Sequence, residues 1–273
     1  MVLELLKNVQ AVIAEAFSTF RNNNDLSAAS SLAFSATLAL IPVLLLLTLL
    51  LGAVIGSSSE AMARTQELLL QLIPAYSQDI LLEVQSIASH RGAIGLLNML
   101  VLLWRMTSLV GDMRKSLGIV FRKKQIRTFL VKKLLDITIG IIFLTGLTAI
   151  AVAEIVLAVI EQKSHLHLLG YVERALPFLL ITTAVFLLYR VFSDGRRIIH
   201  LVVGAVAASL FWYAMRPVFH LFLLYNPGYG FAFGSFKSLF VVIIWTYFSC
   251  VVFLAGAEIA ANLGGMQRSS SGN

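Results

Sequence analysis

Six long apolar stretches dominate this sequence and restrict the folds open to it. They lie at residues 32–56, 93–111, 134–160, 175–192, 199–219 and 238–260. A helix needs about 20 apolar residues to cross the roughly 30 Å hydrocarbon core of a bilayer. In lipid the backbone has to satisfy its own hydrogen bonds, which favours helices. The stretches therefore predict an all-α integral membrane protein, built as a bundle of six transmembrane helices.

The composition supports the same fold class. The 273 residues are 59% hydrophobic and only 13% charged, whereas soluble domains are typically about 45–50% apolar and about 25% charged. So few charged residues leave too little polar surface to cover a water-soluble globule. A single cysteine excludes an intrachain disulfide and a multi-thiolate zinc site.

The basic residues predict how the helices are oriented. Eight of them lie between the second and third stretches: Arg114, Lys115, Arg122, Lys123, Lys124, Arg127, Lys132 and Lys133. If successive stretches alternate in direction, 14 of the 21 lysines and arginines fall on one side of the membrane. The positive-inside rule assigns that side, with both termini, to the cytoplasm. We expect the eight-cation segment to face anionic lipid headgroups, and its position between two spans argues against nucleic acid as a partner.

The chain divides into three predicted regions. Residues 1–31 have the apolar spacing of an amphipathic helix that lies on the cytoplasmic face of the membrane, and they show no cleavable signal peptide. Residues 32–260 form the six-span domain, and residues 261–273 are expected to be a flexible cytoplasmic tail.

Ionisable residues inside spans cost about 2.5–3.5 kcal/mol each on insertion scales, so each needs a reason to be there. Four are candidates for lining a polar path through the bundle: Arg105, Glu154, Arg216 and Glu258. Arg105 lies nearest the middle of the membrane, and we expect it to face the bundle interior. There it would bind an anionic ligand or form a structural pair.

The other three candidates also allow two interpretations. Glu154 and Arg216 lie at similar depth, so they pair or line an outward-facing cavity, unless each extends to the interface. Glu258 lies among small residues near the cytoplasmic end of its span, which suits a proton or cation site, a helix cap or an ion pair. Asp136 is expected to form a local ion pair with Lys132 and Lys133.

Motifs for chemistry are missing from the sequence. It contains no HExxH, Walker loop or GxSxG pattern, and we expect no metal, no cofactor and no enzymatic activity. His165 and His167 are expected to be a solvated pair.

Several local patterns together resemble one known family. They are Ser30–Ser35 followed by Leu40-Ile41-Pro42, Arg114–Phe121 followed by Arg127–Leu130, Phe186–Arg190, Gly204-Ala205, Gly234-Ser235, Trp245–Tyr247 and Gly256-Ala257-Glu258. In these the chain resembles the YihY/BrkB family of bacterial inner-membrane proteins, and the C-terminal patterns are the most specific. The resemblance implies an inner-membrane location. Members of that family have been described as transporters and serum-resistance factors, and an older label was ribonuclease BN.

The favoured function is transporter-like, with a small solute, ion or lipid-like molecule moving along a polar path between helices. The alternative is a structural scaffold of the cell envelope, and a membrane-associated ribonuclease is a remote third. The sequence is compatible with a homo-oligomer and does not identify the substrate.

Overall fold

The computed structural model describes residues 14–55, 63, 66–67, 96–122, 128–163, 169–193, 195–225 and 237–270. Within these residues the regular structure is entirely helical, which confirms the predicted all-α class. A short helix, α1, occupies residues 14–22. Six long helices follow: α2 Asp25–Ile55, α3 Leu96–Val120, α4 Phe129–Lys163, α5 Leu169–Phe192, α6 Ile198–Tyr225 and α7 Lys237–Ser270.

Each of the six predicted stretches falls on one long helix, but several helices extend beyond them. Helix α3 continues past residue 111 to Val120, and α7 continues past residue 260 to Ser270. Helix α2 begins at Asp25, within the region predicted as a separate N-terminal segment. The apolar pattern marks only the part of a helix suited to lipid, whereas backbone hydrogen bonding continues through the polar residues at its ends.

Helices α2 and α7 are central to the bundle. Helix α2 packs against α3, α4 and α7, whereas α7 packs against α2, α3 and α6, and α5 packs on α6. One core cluster joins the first turns of α2 and α6 to the last turns of α3 and α5 and to residues 250–261 of α7, and includes Ala29, Leu117, Tyr189, Leu201 and Leu254. Helices α3, α5 and α7 therefore run in the opposite direction to α2 and α6. We call this the basic end, because the cation-rich segments after α3 and α5 lie there.

A second core cluster lies at the opposite end of the bundle. It contains Leu44, Leu45, Phe219, Val241, Val242 and Trp245, which come from α2, α6 and α7. At both ends of the bundle, α2 and α6 therefore share a core cluster with α7, which packs against each of them.

Close backbone contact holds α6 against α7. A Cβ atom on Gly204 would lie 2.5 Å from the carbonyl oxygen of Gly256, and a Cβ atom on Gly256 would lie 2.6 Å from Cβ of Ala208. The Tyr189 hydroxyl on α5 donates to the carbonyl oxygen of Phe253 at 2.5 Å. Glycine is required on both helices because the two backbones touch there.

Large apolar side chains cover much of the outer surface of the bundle. Those on α4 and α6 include Leu134, Ile141, Ile142, Leu210, Phe211, Val218 and Leu224. By length and composition, Ile198–Tyr225 and Leu239–Leu263 are each able to cross a membrane. In the most apolar 18 residues of each, only 33% are buried within the bundle. The core helix of a soluble protein would be mostly buried. An exposed apolar surface of this extent is typical of proteins that contact lipid.

Candidate functional site at the basic end

Glu258 is buried on α7 at the basic end, and only 1% of its surface is exposed. Asn23, in the turn between α1 and α2, donates from Nδ2 to Oε1 of Glu258 at 2.6 Å. The second oxygen, Oε2, is buried and accepts no hydrogen bond from the described residues. Because buried polar atoms are nearly always hydrogen-bonded, this oxygen requires a partner.

A second acid, Asp25, the first residue of α2, contacts Glu258. Its side chain is fully buried, and among the described residues no N–H or O–H group donates to either of its oxygens. Its contact with Glu258 becomes a hydrogen bond when one of the two acids keeps its proton. Burial, reinforced by the negative charge of Glu258, raises the pKa of Asp25 from 3.8 to about 7. We call Asp25 and Glu258 the acid pair.

The turn before α2 brings both side chains to α7. Asn24 has a φ of 58°, in the left-handed region that asparagine tolerates better than most residues. Its carbonyl oxygen accepts hydrogen bonds from the backbone N–H groups of Ser27 and Ala28 at 3.0 and 3.3 Å, and so starts the helix. The sharp turn at Asn24 points Asn23 and Asp25 towards the same glutamate.

Two arginines balance the charge of the acid pair. Arg122 follows the end of α3, Arg196 lies between α5 and α6, and the positive charge of both acts on Glu258. The Arg196 guanidinium donates to the carbonyl oxygen of Ala261 and lies over the ring of Phe121, with Cζ 5.5 Å from the ring centroid. Helices α2 and α7 and three connecting segments therefore contribute charged or polar groups to one buried site.

A second polar cluster joins α2 to α3. The Ser35 hydroxyl donates to Oδ2 of Asp112 at 2.5 Å, and Lys115 donates to Oδ1 of Asp112 at 2.9 Å. Lys115 is 67% exposed. These hydrogen bonds hold the polar end of α3 against α2, while the Lys115 side chain stays largely exposed on the surface of the bundle.

An ion pair joins α3 to α4 nearby. Arg114 donates from Nε and Nη2 to the two carboxylate oxygens of Asp136, at 2.8 and 2.9 Å. Asp136 therefore forms an ion pair with Arg114 of another helix, whereas the expected pair was a local one with Lys132 and Lys133. Lys133 donates to Oγ1 of Thr107 at 2.9 Å. Gly111 on α3 leaves room for the Asp136 carboxylate to reach Arg114. A Cβ atom at Gly111 would lie 3.3 Å from Oδ2 of Asp136.

The structure places Arg105 apart from the acid pair. Arg105 is half-buried on α3, and its guanidinium carbon lies 5.1 Å from the ring centroid of Trp104, its neighbour in sequence. Trp104 is itself 56% exposed. The expectation that Arg105 faces the bundle interior stays a prediction. The side chain of Glu154 lies outside the described residues.

Arg216 belongs to the opposite half of the bundle. It is half-buried on α6, and its guanidinium carbon lies 5.3 Å from the ring centroid of Trp212 and 5.9 Å from that of Tyr213. Trp212 packs against the second core cluster. A cation held over two aromatic rings is stabilised by their electron-rich faces. The predicted pairing of Arg216 with Glu154 concerns a side chain outside the described residues.

The sequence pointed to Glu258 but not to its partner. Asp25 follows three asparagines, and a polar run of this kind is typical of a break at the membrane surface. An acid at the first residue of a helix was the one available signal, and it does not reveal tertiary contact. The described residues contain no group of three or more histidine, cysteine, aspartate or glutamate side chains placed to hold a metal ion.

Of the eight-cation segment, the structure describes five side chains. Arg114, Lys115 and Lys133 contact protein groups, Arg122 lies near Glu258, and Lys132 also has an interaction within the protein. Lys123, Lys124 and Arg127 lie outside the described residues. The prediction that this segment faces anionic headgroups stays a prediction.

Comparison with known proteins identifies relatives over most of the chain. A UPF0761 membrane protein of Azoarcus sp. (strain BH72) is 27% identical over 241 residues, covering 86% of this chain and 59% of the relative. The corresponding protein of Chromohalobacter salexigens is 24% identical over 264 residues, covering 94% of this chain and 64% of the relative. This chain therefore spans about six-tenths of the length of these curated relatives. No solved structure gives a significant match.

A family model agrees with these relatives and with the sequence motifs. The model described as "Virulence factor BrkB" matches residues 16–272, so it covers all the described helices from α2 to α7. The relatives are named as membrane proteins, as the apolar stretches predicted. The resemblance seen in the motifs is confirmed, and this chain belongs to the BrkB family of membrane proteins.

Proposed function

We propose that this protein is a transporter-like inner-membrane protein with six transmembrane helices and both termini in the cytoplasm. It would move a small solute, an ion or a lipid-like molecule along a polar path between its helices. Six long helices with outward-facing apolar side chains support the span count. The gathering of cation-rich segments at one end supports the orientation, because such segments are retained in the cytoplasm.

The observation that carries this proposal is the acid pair. Asp25 and Glu258 are buried between helices, and three of their four carboxyl oxygens accept no hydrogen bond from the described residues. Ionisable groups inside membrane proteins are expensive, and they usually mark substrate or ion pathways. A scaffold would be as stable, or more stable, with apolar residues of similar volume at these positions. The arrangement therefore favours transport over a structural role.

The remaining candidates would extend the path away from the basic end. Arg105 lies partway along α3, and Arg216 lies in the opposite half of the bundle. In this proposal they attract or orient an anionic group of the substrate, since arginine stays charged in the membrane. The proposal assigns no chemical reaction to the protein. The exposed cations of the basic end would bind anionic lipid headgroups.

A flux assay tests the proposal. The purified chain is placed in liposomes, and the movement of protons, potassium, glycerol, glutamate and a fluorescent phosphatidylglycerol is measured against empty liposomes. We expect faster movement of at least one probe, and a loss of about tenfold or more in Glu258→Gln, because hydrogen bonds to charged groups contribute about 1.5–3 kcal/mol. Glu15→Gln makes the same chemical change on an exposed residue and should retain the flux. If no probe moves faster than in empty liposomes, the result contradicts transport of these probe classes and favours the scaffold alternative.

A further inference from the structure

We propose that Asp25 and Glu258 bind one exchangeable proton between them, and that this proton is the ion linked to transport. The binding site is the contact between the first residue of α2 and the last third of α7. The part of the proposal that concerns transport rests on the proposed function, whereas proton binding does not.

The geometry of the acid pair leaves a place for a proton. Asn23 supplies the single hydrogen bond that the described residues give to the pair, and it reaches one oxygen of Glu258. Asp25 is fully buried, and its two oxygens and Oε2 of Glu258 accept no hydrogen bond from the described residues. Two ionised carboxylates in that position would repel each other in a low-dielectric interior. One proton turns the repulsion into an O–H···O hydrogen bond, and like-charged acids that share a site retain a proton for this reason.

The surrounding charges make this proton exchangeable rather than permanent. Arg122, after α3, and Arg196, between α5 and α6, place their positive charges near Glu258. One protonated and one ionised acid then face two arginines. When the pair releases its proton to water at the basic end, both acids are ionised and the four charges balance. Both states are therefore accessible near neutral pH, in agreement with the pKa of about 7 for Asp25.

Loss of the proton would change the contact between α2 and α7. The same glutamate that shares the proton holds Asn23 and, through it, the turn between α1 and α2. Repulsion between two carboxylates would move the first turn of α2 away from α7, whereas proton binding would restore the contact. Helix movement of this kind links proton binding to opening of a path at the basic end.

Thermal stability measured across pH tests proton binding. The folded protein holds a proton that an unfolded Asp25 releases above its ordinary pKa, so stability should fall as pH rises from about 4 to about 7 and then level off. We expect the melting temperature of the wild type to fall over this range and that of Asp25→Asn to stay flat. Glu15→Gln should keep the fall. His200 is buried at the start of α6, and His200→Gln should also keep it. Equal slopes in wild type and Asp25→Asn would overturn the proposal.

Infrared spectroscopy of the wild type gives a test that needs no variant to fold. With isotope-labelled aspartate, the stretching band of a protonated carboxylic acid should be present at pH 6 and absent at pH 8.5. Asp112 and Asp136 form ion pairs with lysine and arginine, whereas Asp25 faces a second acid, so the band is assigned to Asp25. A spectrum without that band at pH 6 contradicts the proton site.

The flux assay then separates this proposal from the proposed function. Where a probe moves, an inward proton gradient should change its rate in wild type and Glu15→Gln but not in Asp25→Asn. A probe flux whose rate does not depend on the proton gradient would contradict proton coupling and leave the proposed transport function standing. A pH-dependent melting temperature without movement of any probe would support the proton site and contradict transport.

Discussion

At the scale of single residues, the charge of the nearest neighbour decides the state of a buried acid. Asp136 accepts hydrogen bonds from Nε and Nη2 of Arg114, and an opposite charge at hydrogen-bond distance stabilises a carboxylate. Asp25 faces another acid instead, so burial and repulsion both favour its protonated form. Two aspartates at the same end of the bundle therefore have opposite roles: one joins helices, and the other is able to exchange a proton.

Asp136→Asn should destabilise the protein by about 3 kcal/mol, because it leaves the Arg114 guanidinium without its counter-charge. The side chains of Asp136 and Arg114 are 5% and 19% exposed. Lys115→Gln removes a lysine that is 67% exposed, and an exposed pair of this kind contributes less than about 1 kcal/mol. Reversible unfolding in mixed detergent micelles measures both. Equal effects of the two changes would show that the Arg114–Asp136 pair contributes no more than a surface contact.

At the scale of helices, the contact between α6 and α7 depends on residues without side chains. Gly204 and Gly256 let two backbones touch, and close approach of this kind is a common way for transmembrane helices to associate. The contact lies beside the acid pair, so it also fixes the depth of Glu258 relative to α6. Any larger residue at either position would push α7 away from its neighbours.

Gly204→Ala should therefore lower stability by about 1–3 kcal/mol, the usual cost of overpacking, although alanine favours helices. Gly146 on α4 provides a matched control, since a Cβ there would meet no atom within 4 Å. Gly146→Ala should be neutral or stabilising by up to about 1 kcal/mol. Melting temperatures of the two variants measure the difference. A Gly204→Ala protein that melts no lower than the control would contradict the close approach.

The helices could be predicted from the sequence better than the site could. Apolar runs located all six long helices, because lipid requires uninterrupted hydrophobic surface along each one. The ends were less certain: α7 continues to Ser270 through polar residues that no hydropathy pattern marks. Glu258 stood out as an acid among small residues. Asp25 did not, because its importance comes from contact with a helix more than 200 residues away in sequence, which periodicity does not report.

At the scale of the whole molecule, charge and packing point to the same orientation. The cation-rich segments after α3 and α5 join helices at one end of the bundle, and the first core cluster lies beneath them. The opposite end has its own cluster, with aromatic side chains such as Trp245 and Phe219. An asymmetric distribution of basic residues is what orients membrane proteins during insertion.

Reporter fusions test this orientation directly. A reporter inserted in the segment 114–133 should read as cytoplasmic, and one inserted in residues 60–90 should read as periplasmic. Alkaline phosphatase is active only outside the cytoplasm and a fluorescent protein mainly inside it, so the two reporters give opposite signals at each site. Finding both sites on the same side would exclude six alternating spans.

The hydrogen bond from Asn23 to Glu258 also sets the order of events while the chain is being made. The two residues are 235 positions apart. At a synthesis rate of about 5–20 residues per second, Glu258 is therefore made roughly 10–50 s after Asn23. Throughout that time Asp25 lacks the neighbour that favours its proton, so it stays hydrated and ionised at the membrane surface. Closure of the bundle around the acid pair is therefore a late step of biogenesis. In a chain stalled on the ribosome before Glu258, the first turn of α2 would lack its contact with α7.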